Sequence, residues 1–372
     1  MRAIFVIIFL SFFVCVSCTK EMDNEADTAY ENKEISFQAI GVDGERIYQY
    51  NYDGNQGIEE TINLSSELGL GSEYLTLRQL NKTLSFFNFN QGSFSLVQKD
   101  LSSNRVESYI DFYTNSSERS IVWGINNDDS VFFGHYNPEG STNLAIHNIS
   151  LDDFQGSDLS LEFNIEQLYQ PLYHDGNLFI TYKNNESEYK ITVYDTQTFS
   201  LKQTISYGRL SPSILIDENG NLAVFKFDDG STVNLEIREL ENLSIIEERD
   251  FELNQRFSTG PLNAELKDNK LFYEYEYSQP FSLSTGPAVL NLITGENKIF
   301  DLLGIIGEIE ISNEISLYVV WQQYNAAEDS FLISYGTFND ANSLEGGVMI
   351  ISPSGVLVEN ISLPFIPSYF VK

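Results

Sequence analysis

The stretch HDGNLFITYK, residues 174–183, sets a tight polar turn directly against a short aromatic and β-branched run. Asp, Gly and Asn suit the backbone of a tight turn, and the run that follows suits a strand. The same unit recurs along the chain. LNKT (80–83) leads into TLSFFNF (83–89), NNDDS (126–130) into SVFFGHY (130–136), and DENGN (217–221) into NLAVFKF (221–227). KDNK (267–270) leads into KLFYEYEY (270–277), and SNE (312–314) precedes SLYVVWQQY (316–324). With Asn81, Asp128, Asp175, Asn219, Asn269 and Asn313 as markers, the spacings are 47, 47, 44, 50 and 44. No amphipathic helix of useful length interrupts the series. A period of this size in an all-β chain predicts a β-propeller with four strands per blade.

A second series of turns, each expected just before a blade's outermost strand, falls at 51–57, 99–105, 151–158, 194–200, 238–244, 292–298 and 351–356. Seven of these stand against six of the first kind. The mismatch is resolved if PFIPSYFVK (364–372) supplies the innermost strand of the blade begun by EISFQAI (34–40), because the missing turn then lies where the two ends of the domain meet. Such a closure leaves no unpaired blade at the seam. The expectation is seven blades, with six or eight as alternatives. After the N-terminal blade, the blades fall at 72–111, 120–164, 168–206, 211–253, 260–302 and 307–363. The last carries an insertion, 326–346, between its second and third strands. The connections between blades should emerge on one face, the funnel face.

Composition narrows the function classes. The chain carries 21 basic and 54 acidic side chains, a net charge of −33, which opposes nucleic-acid binding. No linker-like run interrupts residues 34–372, so one propeller domain is expected there. Both cysteines lie in FFVCVSCTKE (12–21), leaving no metal or disulfide framework downstream.

Residues 1–17 form a secretory signal pattern: Met1-Arg2, the apolar run AIFVIIFLSFFVCV, then Ser17. With Val16 and Ser17 ahead of it, Cys18 resembles the lipobox cysteine of bacterial lipoproteins, although Cys15 stands where that family has Leu. An ordinary cleaved signal is the alternative. The acidic segment 18–33 reads as a flexible tether; it resembles the surface-export signals of Bacteroidota lipoproteins, and DTA (27–29) resembles their O-glycosylation motif. Together these features and the repeat resemble Bacteroidota outer-membrane lipoproteins with a seven-bladed propeller. The resemblance implies an acylated (palmitate-bearing) Cys18, attachment to the outer membrane with surface exposure, and for some members capture of siderophores or glycans for a TonB-dependent receptor.

Candidate sites come from residue types at the mapped positions. His135, His147 and His174 have no Asp, Ser or Cys partner at a recognisable spacing, so neither a triad nor a zinc site is expected. DENGNLAVFKFD (217–228) opens like a calcium loop, but Leu222 stands where that loop needs Gly, and a hairpin turn fits better. Arg119, Arg209 and Arg256 each fall in a connection leading into an innermost strand. If they converge at the funnel mouth, their planar donor forks suit carboxylates or phosphates; the competing reading is local pairing within each loop. Trp321 and Tyr324, assigned to the second strand of the last blade, are candidates for stacking on a ligand, and Tyr273, Tyr275 and Tyr277 for packing between blades. No cofactor, metal or catalytic residue is assigned. The leading expectation is a non-enzymatic, membrane-anchored binder of an anionic or polyoxygenated ligand. A protein–protein scaffold of the cell envelope is the alternative, and a propeller enzyme the third.

Overall fold

Seven four-stranded antiparallel units follow one another around a ring in the computed structural model, which describes residues 35–116, 119–136, 143–162, 164–227, 231–278, 283–338 and 344–372. The signal and tether segments, with Cys18, lie outside the described residues. Blade 1 is built from Ser36–Val42, Ile47–Asp53 and Ile58–Asn63, with Ile366–Phe370 added as its innermost strand. Blades 2 to 6 begin with innermost strands at Thr76, Ser120, Ile165, Ser211 and Glu265, and blade 7 ends with Leu357–Leu363.

The expected closure is present. Ile366–Phe370 runs antiparallel to the first strand, pairing Ala39 with Phe370, Ile40 with Tyr369, Gly41 with Pro367 and Val42 with Ile366. A Cβ on Gly41 would sit 2.3 Å from the Ile366 carbonyl oxygen, so only glycine permits this approach. The seam is also packed by side chains. Phe37, Ala39, Phe365 and Phe370 join Leu332, Val348 and Ile350 of blade 7 in one cluster.

Middle strands are covered on both faces by neighbouring blades, which is why SVFFGHY and NLFITYK lack clean alternation: both are almost wholly buried. Outermost strands are more exposed, as in Ile245–Glu252. The turns before them share one solution. Asp53, Asp100, Asp195 and Asn291 each accept, through Oδ1, the backbone N–H groups two and three residues on, at 2.7–3.2 Å. One or two residues before all seven outermost strands stands a residue of positive φ: Gly57, Asn104, Phe154, Phe199, Leu243, Gly295 and Gly355.

Blade 7 departs from expectation. Residues 307–313 do not form its innermost strand; they belong to a helix, Leu302–Asn313, that fills the connection from blade 6. Alternating Glu and Ile in GEIEIS mimic a strand, but Leu302, Ile306 and Ile309 recur at helical spacing and are the residues buried. Asp301 caps the helix by accepting the Gly304 N–H at 2.9 Å, and Glu314 ends it at φ 55°. The innermost strand is therefore Ser316–Asn325, and the span expected as an insertion holds the first hairpin turn and the second strand, Ser330–Phe338. Trp321 and Tyr324 thus lie on the innermost strand.

Two irregularities mark the innermost strands of blades 4 and 5. Blade 4's innermost strand is broken into Ile165–Leu168 and Leu172–His174 around Pro171, which has no N–H to give the ladder. In blade 5, Gly260–Pro261 adds a short parallel strand beside Ser211–Ile216.

If closure depends on the buried seam, Phe370→Ala should cost about 3–5 kcal/mol, the usual range for a buried Phe. Ile110→Ala, on a side chain 66% exposed in blade 2's outermost strand, should change stability by no more than about 0.5 kcal/mol. Parallel denaturant titrations of the two variants compare them directly.

Candidate functional site between blades 2 and 3

Thr76 and Arg78 stand two apart on the innermost strand of blade 2 and so share a face. Both line a cavity of about 550 Å³ between blades 2 and 3. Arg119, Ser120 and Trp123 of blade 3, Asn115 of the connecting loop, and Gln170 from the broken strand of blade 4 complete its polar and aromatic wall. Phe87, Phe89, Phe94 and Phe133 supply the apolar part. Trp123 reaches its place because residue 134 is glycine: a Cβ there would fall 2.2 Å from the indole.

Arg78 is the unusual member. Its Nε donates to the Gly124 carbonyl at 3.3 Å and its Nη2 donates to the Gln170 side-chain carbonyl, tying together three blades. Among the described residues no carboxylate pairs with it. Burial pushes its pKa below the usual arginine value, with only Tyr369 acting in the other direction. A guanidinium so placed keeps donors and charge available for an anion.

Arg119 is held differently. Its guanidinium makes a two-pronged bond to Asp158 of the blade's outermost strand, Nη1 lying 2.7 Å from Oδ1. The sheet register sets His147 opposite Asp158 and His135 one strand further in. His147 Nδ1 lies 2.8 Å from Asp158 Oδ1, and His135 Nε2 lies 3.3 Å away. The Tyr113 ring of blade 2 sits 5.0 Å from the His147 ring. Burial works against the Asp158 charge, but the bonds from Arg119 and His147 prevail and hold its pKa at about 2. Burial lowers both histidine pKa values, with Asp158 opposing. These histidines therefore do have an acidic partner, supplied by register and invisible to spacing along one strand. No group of three or more His, Cys, Asp or Glu among the described residues is placed to hold a metal.

The other sequence candidates are scattered. Arg209 and Arg256 are exposed, and neither lines the cavity that Arg119 lines, so the three arginines are not brought into one site. Tyr324 is 4% exposed, with its ring stacked on Phe272 at 3.7 Å and its hydroxyl donating to Asp329. Its faces are committed to packing between blades 6 and 7. Trp321 is half-buried and lines a different cavity, between blades 6 and 7. The calcium-like stretch is a turn, Asp217 accepting the backbone N–H groups of Asn219 and Asn221 at 2.9 and 2.7 Å. Of the tyrosine stripe, Tyr273 is buried and bonded to Asn297, and Tyr277 donates to the Phe300 carbonyl at 2.9 Å. His174 lines a third cavity on the opposite face, with Asp128, Asp175 and Lys372.

The linkage has a definite sign. A histidine with a lowered folded pKa binds its proton more readily when unfolded, so stability is full above the unfolded value near 6.5 and falls as pH drops below it. Asp158 adds a second loss as pH falls from about 3.8 towards about 2. Replacing both histidines, His135→Gln with His147→Gln, should flatten the fall in melting temperature between about pH 6.5 and 5. Melting curves across that range, wild type against double variant, provide the measurement.

Neither a family model nor a curated protein matches the sequence. Solved structures do match in fold. A putative 6-phosphogluconolactonase from Bacteroides fragilis aligns over 93% of this chain and 100% of its own, at 11% identity and a TM-score of 0.51. The periplasmic gluconolactonase PpgL of Pseudomonas aeruginosa aligns over 91% and 99%, at 12% identity and 0.50. A puromycin hydrolase aligns over 92% of this chain but 55% of its own, at 10% identity and 0.50, so the chain spans about half of that enzyme. At these identities the likeness shows the fold, a seven-bladed β-propeller.

Proposed function

We propose that the protein is a binder of small anionic, oxygen-rich ligands, held in the cavity between blades 2 and 3. Arg78 carries the reading. A largely buried guanidinium with no carboxylate partner among the described residues is costly in a folded protein unless something else uses it. Arg119, already neutralised by Asp158, orients the wall and adds hydrogen-bond donors at the rim. Asn115, Ser120, Thr76 and Gln170 suit hydroxyl and carboxylate oxygens, and Trp123 and the phenylalanines suit a ring. This chemistry fits a carboxylated glycan or a siderophore. In a chain of net charge −33, a cationic pocket is also the feature that would let an anion approach closely.

The sequence extends the proposal to location. Cys18 as a lipid anchor would hold the propeller at the outer membrane by the tether 18–33, where captured ligand would pass to a TonB-dependent receptor.

The test is a thermal-shift screen of the protein lacking residues 1–18 against citrate, glucuronate, inorganic phosphate and ferric siderophores. A ligand at a hundredfold its dissociation constant should add about 2.7 kcal/mol of stability. Arg78→Met should match or exceed the wild type in stability without ligand, since it removes a buried charge, and should lose the ligand-induced shift. A shift that survives in Arg78→Met, or the absence of any shift at millimolar concentrations, overturns the reading.

A further inference from the structure

The helix Leu302–Asn313 forms one wall of a second cavity, about 590 Å³, between blades 6 and 7. Leu303, Ile306 and Glu310 face it from positions i, i+3 and i+7 of one helical face. The opposite wall is the innermost strand of blade 7, contributing Leu317, Tyr318, Val319, Val320, Trp321 and Gln322. Glu274 of blade 6 adds a second carboxylate. Among the described residues the lining holds no Lys, Arg or His.

Three observations together point to a ligand. First, the two lining carboxylates are not matched by a cation in the lining, and neither forms an ion pair among the described residues; Glu310 Oε1 accepts only the Leu317 backbone N–H at 2.9 Å. Second, two lining residues carry buried side-chain polar atoms with no partner among the described residues, Trp321 Nε1 and Gln322 Oε1. Gln322 is only 4% exposed, and its one side-chain hydrogen bond among the described residues is a long one, 3.4 Å from Nε2 to the Gly286 carbonyl. Orphaned groups of this kind carry a desolvation cost that a bound polar group removes. Third, Leu303, Ile306, Leu317 and Val319 give the lining apolar surface beside the polar Ser284, Thr285 and Tyr318. The half-buried Trp321, which also packs against the seam cluster, completes it with a ring whose face attracts cations.

We infer that this cavity is a second binding site, for a hydrophobic organic cation: an ammonium group carried on an aromatic or alkyl body. The ammonium would lie between Glu274 and Glu310 with Trp321 beside it, and the body against Leu303, Ile306 and Leu317. Gln322 Oε1 supplies an uncharged acceptor. The site has the opposite electrostatic preference to the cavity of Arg78, and it does not depend on that reading.

The two tryptophans of the chain make the sites separable, since Trp123 lines one cavity and Trp321 the other. In Trp123→Phe the remaining fluorescence reports on Trp321 alone. Titration of that variant with 2-phenylethylammonium should give a saturable change at submillimolar concentration. The neutral 2-phenylethanol and the anionic 3-phenylpropionate should bind at least tenfold more weakly. Glu274→Gln with Glu310→Gln keeps an acceptor for the Leu317 N–H and should weaken the ammonium at least tenfold while leaving the melting temperature close to that of its parent. Equal binding of the alcohol, unchanged affinity in the double variant, or no saturable change overturns the inference. In Trp321→Phe, where Trp123 reports, the ammonium should give no response at the same concentrations; an equal response there also overturns it. A failed anion screen with a positive ammonium titration would remove the first site and leave the second.

Discussion

Backbone pairing between Ile366–Phe370 and the first strand is the constraint on which the rest of the structure depends. A blade buries its middle strands only by standing against two neighbours, so an open ring would expose one blade face and one sheet edge. Closure brings together chain segments more than 300 residues apart and must offset a large loss of chain freedom. The apolar cluster around Phe365 and Phe370 supplies that stabilisation, and Gly41 lets the two backbones meet. Lys372 and Tyr369 extend the seam to blade 2, where both bond to the Gln79 side chain.

A closed ring also fixes where polar groups meet. Blade faces are mostly apolar, yet at the edge of the interface between blades 2 and 3 the packing gives way to Tyr113, His147, His135, Asp158 and Arg119. Each ionisable member there is supported by another, which is the condition for keeping charge at a partly covered site. Arg78 breaks that rule. Its partners are carbonyl oxygens on blades 3 and 4, which satisfy donors without cancelling the charge. The pocket therefore keeps its positive character within a strongly acidic protein.

Insertions relative to the repeat are where the second cavity arises. A regular connection would leave the innermost strand of blade 7 open to the funnel. The helix Leu302–Asn313 covers part of it and carries Glu310 into the lining of the cavity that Trp321 also lines. The same helix hid the strand order of blade 7, because GEIEIS satisfies both the two-residue period and a helical face. The cap at Asp301 and the spacing of Leu302, Ile306 and Ile309 were the available signals, and they are local ones.

The sequence by itself determined the architecture. Turn chemistry is local, so Asp, Asn and Gly at a period near 45 residues marked the hairpins, and the count of seven outer turns against six inner ones located the seam. The middle strands were equally legible, because burial on both faces demands continuous apolar runs. Binding chemistry was not legible in that way. Arg119 stood out because it sits in a connection, but its partner Asp158 lies 39 residues on and is set by register across the sheet. Arg78, inside an unremarkable strand, becomes distinctive only when the ring leaves it without a carboxylate partner among the described residues. Tyr324 looked like a stacking residue until Phe272 of the neighbouring blade covered it. Charge compensation and ring exposure depend on groups brought close by blade packing, and that proximity is a property of the tertiary structure alone.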